Sequence, residues 1–170
     1  SLIVPDSEMK QDFSSFELVD NNPEAIVLGD MGRLFTFELL NRLFNDALNG
    51  SQIVAMHKNR YWKSAKGFTI DLGAFIAALE YASGKSAVVM GKPDPNMFFL
   101  AVRSWCVPHN SIFMIGDDIE GDVGGAKNAG MQSVLVKTGK FRDKALDNSK
   151  LKPDFIINSV ADLPDLFELG

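Results

Sequence analysis

Apolar and polar positions alternate along the chain in a way that separates short apolar runs from amphipathic stretches. Ala25-Ile26-Val27-Leu28 is an apolar run closed by Gly29-Asp30, the pattern of a strand and a turn. Over 36–49, Leu40, Leu43, Phe44, Ala47 and Leu48 recur at the three-and-four spacing of one buried helix face. Thr36 can cap the start of that helix, and Gly50 can close its end. The spacing then predicts a strand over 52–56 and a helix over 72–83 with Phe75, Ile76, Leu79 and Ala82 inward and Gly84 as terminator. A strand over 86–90 leads through Gly91-Lys92-Pro93-Asp94-Pro95 into a helix over 96–105. Residues 112–115 are strictly apolar, the kind of run buried on both faces of a parallel sheet. A helix near 122–129 ends at Gly130, strands follow at 133–136 and 154–157, and Ser159 can cap a terminal helix. Residues 2–24 read as an irregular lead-in with at most one short strand. Strands alternating with helices predict an α/β fold with a mostly parallel sheet.

Composition narrows this only slightly. The chain has 170 residues, long enough for one domain or two small lobes with a sizeable core. Hydrophobic residues make up 46% and charged residues 23%, as in a globular protein. The formal net charge of -5 argues against a nucleic-acid binder, whose footprint is basic, but leaves a small phosphorylated substrate open. The single cysteine, Cys106, can form no internal disulfide, so a reducing cytoplasm is expected. Flanked by Trp105, Val107 and Pro108, it reads as a packed thiol rather than a nucleophile. No apolar run reaches membrane-spanning length and no signal peptide is evident, so no membrane partner is expected.

Chemistry concentrates after the 112–115 run, in Gly116-Asp117-Asp118-Ile119-Glu120-Gly121-Asp122-Val123-Gly124-Gly125-Ala126. In an open parallel sheet, ligands bind beyond the carboxyl ends of the strands, which is where Asp117 and Asp118 fall. Gathered carboxylates repel one another unless a cation neutralises them, and oxygen ligands with retained waters suit magnesium. A helix starting near Asp122 would add backbone N–H groups at the same edge. A Lys-Pro turn, Lys92-Pro93, stands one helix and one strand earlier.

These two stretches resemble the signature motifs of the haloacid dehalogenase (HAD) superfamily. The strand followed by GDxxxxD is similar to the family's fourth motif. The resemblance makes Asp117 a magnesium ligand, Asp122 a support of the metal site, and Asp118 a second candidate ligand. The Lys-Pro turn resembles the third motif, and Lys92 then matches the lysine that balances the nucleophile and the phosphoryl group. The Gly139-Lys140-Phe141-Arg142 turn continues the likeness. The first half, through His57-Lys58-Asn59-Arg60-Tyr61 and Leu79-Glu80-Tyr81-Ala82, resembles the α/β cap of the subfamily of 4-nitrophenylphosphatases and phospholysine phosphohistidine inorganic pyrophosphate phosphatases. The implied fold is an α/β cap domain over 1–85 plus, over 86–170, the C-terminal half of a Rossmann-like parallel-sheet core.

The resemblance implies a magnesium-dependent phosphatase working through an aspartyl phosphate. The family's DxDGT nucleophile motif and its Ser/Thr motif do not occur in these 170 residues, so the chain alone is expected to be inactive. The other function class is a non-catalytic binding or interaction module. Ala25 to Gly32 imitates a nucleophile motif around Asp30, but position 32 is Gly where the acid-base Asp belongs. The 57–61 loop is either a substrate-facing segment of the cap or a solvated loop with aromatic anchors. His109, after Pro108, reads as an ordinary loop residue. With the motif-one strand absent from these residues, the 112–115 strand should present an unpaired apolar edge, which predicts a homo-oligomer.

Overall fold

Continuous apolar runs of four or five residues pair as parallel strands because both of their faces can be buried, and the chain supplies such runs in two sets. The computed structural model describes residues 1–167. In chain order the elements are β1 (Leu2–Ile3), β2 (Ala25–Leu28), α1 (Phe37–Leu48), β3 (Gln52–Ala55), β4 (Tyr61–Ser64), β5 (Gly67–Ile70), α2 (Leu72–Ser83) and β6 (Val88–Val89). They continue with α3 (Pro95–Val102), β7 (Phe113–Gly116), α4 (Gly125–Asn128), β8 (Gln132–Val136), α5 (Asp143–Asp147), β9 (Phe155–Ile157) and α6 (Leu163–Leu166). Two compact units result: Ser1–Ser64 with Thr69–Gly91, and Ala65–Phe68 with Lys92 onward. The architecture is α/β with parallel sheets, as expected.

In the first unit, β1, β2, β3 and β6 form one sheet in that order, all parallel. Ile26, Leu28, Ile53 and Ala55 from its central strands pack with Leu43 and Ala47 of α1 and Leu72, Ile76 and Leu79 of α2. Thr36 caps α1, its Oγ1 accepting the Leu39 N–H at 3.2 Å. Gly84 ends α2 in the left-handed region at φ 68°, where only glycine is unstrained. Two expected core positions are exposed instead: Leu48 and Ala82 lie in the last turns of their helices, past the sheet-facing stripe. Phe75 is only partly buried but stacks on Phe35 with ring centroids 4.0 Å apart.

In the second unit, β7, β8 and β9 form a parallel three-stranded sheet in that order. The central strand β8 is the buried one. Contrary to expectation, β7 is half-exposed at each of its residues, because it is an edge strand of this sheet and is covered less than β8. Phe98 and Val102 of α3 pack with Ile112, Ala126, Ala129 and Met131, while Ile119, Val123 and Leu135 form a second cluster with Phe141, Leu146 and Leu151. Helix α3 ends at Val102, three residues before the predicted end, and residues 103–107 are exposed. That places Cys106 in the exposed loop, not in a packed position. His109 stacks on Phe99 at 5.0 Å. No helix among the described residues is long and apolar enough to cross a membrane.

Candidate active site

β7 ends at Gly116, and the chain turns directly into Asp117 and Asp118. The helical segment beyond them starts earlier than its sequence suggests. Asp118 is its cap, with Oδ1 accepting the Glu120 N–H at 3.0 Å. Residues Ile119–Gly124 wind as a wide π-type turn before α4, with the Asp118 carbonyl accepting the N–H groups of Asp122 and Val123 at 2.9 and 3.1 Å. Turns of this width recur at functional sites because they swing one side chain out of helical register. Here that side chain is Asp122, which is buried and reaches back to the strand end. Its Oδ2 accepts the Asp118 N–H at 3.1 Å, and its Oδ1 takes the Lys92 ammonium at 2.8 Å. Gly116 makes this possible, since a methyl group on it would overlap the Asp122 carboxylate.

Lys92 arrives from the turn between β6 and α3, whose first residue is Pro95 and whose cap is Asp94, accepting the Asn96 N–H at 2.8 Å. Lys92 and Asp122, drawn from motifs 30 residues apart, therefore meet in one ion pair. A third arm comes from beyond β8. The chain turns at Gly139 with φ 54°, and the Lys140 N–H donates to Asp117 Oδ2 at 2.8 Å. The Lys140 ammonium pairs with Asp118 Oδ2 at 2.7 Å. A side chain on Gly139 would overlap the Asp117 carboxylate. Burial pushes the Asp118 carboxyl up, but the Lys140 hydrogen bond and charge, with the N–H groups of Gly121 and Glu120, outweigh it and hold the carboxyl below the ordinary carboxylate value.

The sequence marks Lys140 only as part of a turn. Its partner Asp117 is 23 residues earlier, and no local pattern reports that contact. The available signal is topological: β7 and β8 are parallel and in register, Gly116 opposite Leu135, so the loops leaving the two strands emerge at one edge.

Three carboxylates face two ammonium groups here, and the lysines already engage Asp118 and Asp122. Among the described residues, no group of three His, Cys, Asp or Glu side chains is close enough to hold a metal ion. Magnesium asks for near-octahedral oxygen coordination. Asp117, Asp118 and Asp122 do not by themselves make a magnesium site.

The expected cap loop lies in the first unit. Lys58 pairs with Glu80 of α2 at 2.6 Å, and His57 Nε2 lies 3.8 Å from Asp71 Oδ1. The Asn59 carbonyl accepts the Gly73 N–H at 2.9 Å, and the Arg60 carbonyl accepts the Asp71 N–H at 3.2 Å. Gly73 has no side chain because the carbonyls of Lys58 and Asn59 fill that space. Tyr61 begins β4, which pairs with β5. This two-stranded hairpin was not expected from its polar composition. Asp30 closes a local turn, its Oδ1 accepting the Gly32 N–H at 3.0 Å.

Residues 89–163 match the HAD-hydrolase-like family. The chain belongs to the HAD family. It is 41% identical over 153 residues to haloacid dehalogenase-like hydrolase domain-containing protein 2 of Bos taurus, covering 89% of this chain and 57% of that protein. It is 38% identical over 156 residues to the phospholysine phosphohistidine inorganic pyrophosphate phosphatase of Mus musculus, covering 90% of this chain and 58% of that one. Among solved structures, p-nitrophenyl phosphatase from Archaeoglobus fulgidus superposes with a TM-score of 0.82 at 27% identity, over 97% of this chain and 66% of that one. This HAD chain thus spans less than two thirds of the length of each of these relatives.

Proposed function

We propose that this HAD chain supplies the cap and the lysine–aspartate half of a phosphatase site that acts on a small phosphorylated substrate. The first unit is the cap in this reading, and the second is the C-terminal half of the core. The observation that carries it is the 2.8 Å pair between Lys92 and Asp122, which joins the two motif-like stretches at one sheet edge. Asp122 uses one of the three donors of the Lys92 ammonium, and the remaining N–H groups are suited to phosphoryl oxygens. The chemistry is displacement at phosphorus by an aspartate from outside these residues. An O–P bond to that aspartate forms as the ester P–O bond breaks, and water then cleaves the aspartyl phosphate. Magnesium dependence belongs to the same reading, with Asp117 contributing and the missing oxygen donors coming from outside these residues. So does a cytoplasmic setting, since the single thiol closes no internal disulfide.

The test is phosphate release. With 4-nitrophenyl phosphate and magnesium, the 170-residue chain alone should show none above background. Joined to a segment bearing a DxDGT strand, it should turn over, and Lys92→Ala should lower kcat about 100-fold, the scale of losing one electrostatic contact in a transition state. Turnover by the chain alone, abolished by Asp30→Ala, would assign the nucleophile to Asp30 and sink this reading.

A second copy is the partner proposed for the β7 edge. β7 is terminal in its sheet, its apolar residues are half-exposed, and it carries neither Lys nor Pro to discourage pairing. Sedimentation of the chain should show a dimer, and a monomer at all concentrations would contradict the pairing.

A further inference from the structure

The first unit contains a cavity of about 490 Å³ that the phosphatase reading does not use. It is built wholly from residues between Ile3 and Arg42, and none of them belongs to the carboxylate cluster. We propose that this cavity binds a small amphipathic carboxylate, with an apolar body and a single negative end.

Part of the lining is apolar and buried. Ile3, Val4 and Met31 belong to it and are 5%, 3% and 8% exposed. The walls are apolar but open: Leu18 and Leu34 line the cavity and are 38% and 62% exposed. Apolar walls left facing water around a concave space of this size are what a ligand body covers. The volume lies within the range of small-molecule sites.

The charged groups in the lining are cationic in balance. Lys10 and Arg42 line the cavity together with one acid, Asp20. Arg42 projects from α1 one turn after Leu39, so it shares a helix face with an apolar lining residue. Its guanidinium donates to the Asp20 backbone carbonyl, which orients it and uses one of five donors. The Lys10 ammonium makes no ion pair among the described residues. Two cations against one carboxylate leave a single positive charge, which matches a monoanion better than a doubly charged phosphate ester. A guanidinium fork is suited to donate two parallel bonds to a carboxylate.

Octanoate is the probe, with octanol as its neutral counterpart and octyl phosphate as the doubly charged one. Titration of ¹⁵N-labelled chain should shift the amides of residues 3–4, 18–20 and 31–34 and saturate at one octanoate per chain. Octanol and octyl phosphate should each bind at least 10-fold more weakly. Lys10→Met with Arg42→Met should weaken octanoate at least 10-fold and leave octanol unchanged. Both side chains are exposed, so the variants should fold, and their unliganded spectra check this. Leu34→Trp, a substitution at an exposed wall, should fill the cavity and weaken octanoate and octanol alike. Shifts elsewhere, binding without saturation, octanol or octyl phosphate binding as tightly as octanoate, or full affinity in the double variant would overturn the proposal.

Discussion

In the first unit, Lys58 of the 57–61 loop is tied to Glu80 of α2, whereas in the second unit five ionisable side chains crowd one sheet edge. Lys58 has its own partner in Glu80, and the loop carbonyls have theirs in the first turn of α2. Such pairing is what a scaffold uses. Asp117, Asp118, Asp122, Lys92 and Lys140 instead interlock, with three acids gathered where like charges repel. Two glycines, Gly116 and Gly139, have no side chain where one would displace those acids. The second arrangement holds charge in place at a cost to folding, as the site proposed above would require.

The largest effect that tests this contrast is expected at Asp122. Its carboxylate is buried and holds both the Lys92 ammonium and the Asp118 N–H. Asp122→Ala strands two donors and breaks a half-buried ion pair, a change on the order of 3 kcal/mol. Asp117→Asn should be near neutral or stabilising in urea denaturation, because it removes one of three clustered acids and can still accept the Lys140 N–H. If Asp117→Asn cost as much as Asp122→Ala, the cluster would be structural cement and the contrast between the units would fail.

How much of these regions was legible in the sequence depends on how local each signal is. The Thr36 cap, the Gly84 terminator and the alternation of strands with helices depend on neighbouring residues, and the structure has them where the pattern puts them. The Asp117–Asp118 turn is likewise local, since a strand must end before a carboxylate pair can lie at its edge. Lys140 depends on which strand lies beside which, and the residues around it say nothing of that. The exposure of Cys106 and the half-exposure of β7 depend on what covers them, which periodicity does not report. The hairpin of β4 and β5 is hidden because its first strand, Tyr61–Ser64, lacks the apolar alternation that marks a half-buried one.

Acid tests the latch between β8 and β9 in the second unit next. Asp154 takes the Lys127 ammonium and both the N–H and the hydroxyl of Ser133, fixing the start of β9 to β8. The Lys127 hydrogen bond, against a smaller opposing effect of burial and with the Ser133 bonds, holds its carboxyl below the ordinary value. A depressed carboxyl stabilises the fold above its unfolded pKa of about 3.9 and loses that contribution as pH falls through the folded value. Urea midpoints of the second unit should therefore drop on going from about pH 6 to about pH 3. Asp154→Asn should remove part of that drop, about 1 kcal/mol for bonds to a charged acceptor. An unchanged pH dependence in Asp154→Asn would mean that Asp154 does not latch β9.

The smallest effect is the one that decides the role of the 57–61 loop. Lys58 is 34% exposed and Glu80 20%, so water screens their pair and its contribution should be about 0.5–1 kcal/mol. Glu80 also accepts the Ala87 N–H at 2.9 Å, so it keeps a partner when Lys58 is lost. Lys58→Met and Glu80→Gln should each lower stability within that range, and the double variant should lose less than their sum because the two share one interaction. That coupling would fix Lys58 as part of the scaffold. Strict additivity would mean that the two do not act through each other, freeing the Lys58 ammonium for the substrate-facing role that the cap resemblance implies, and Lys58→Met would then be expected to raise KM in the active protein.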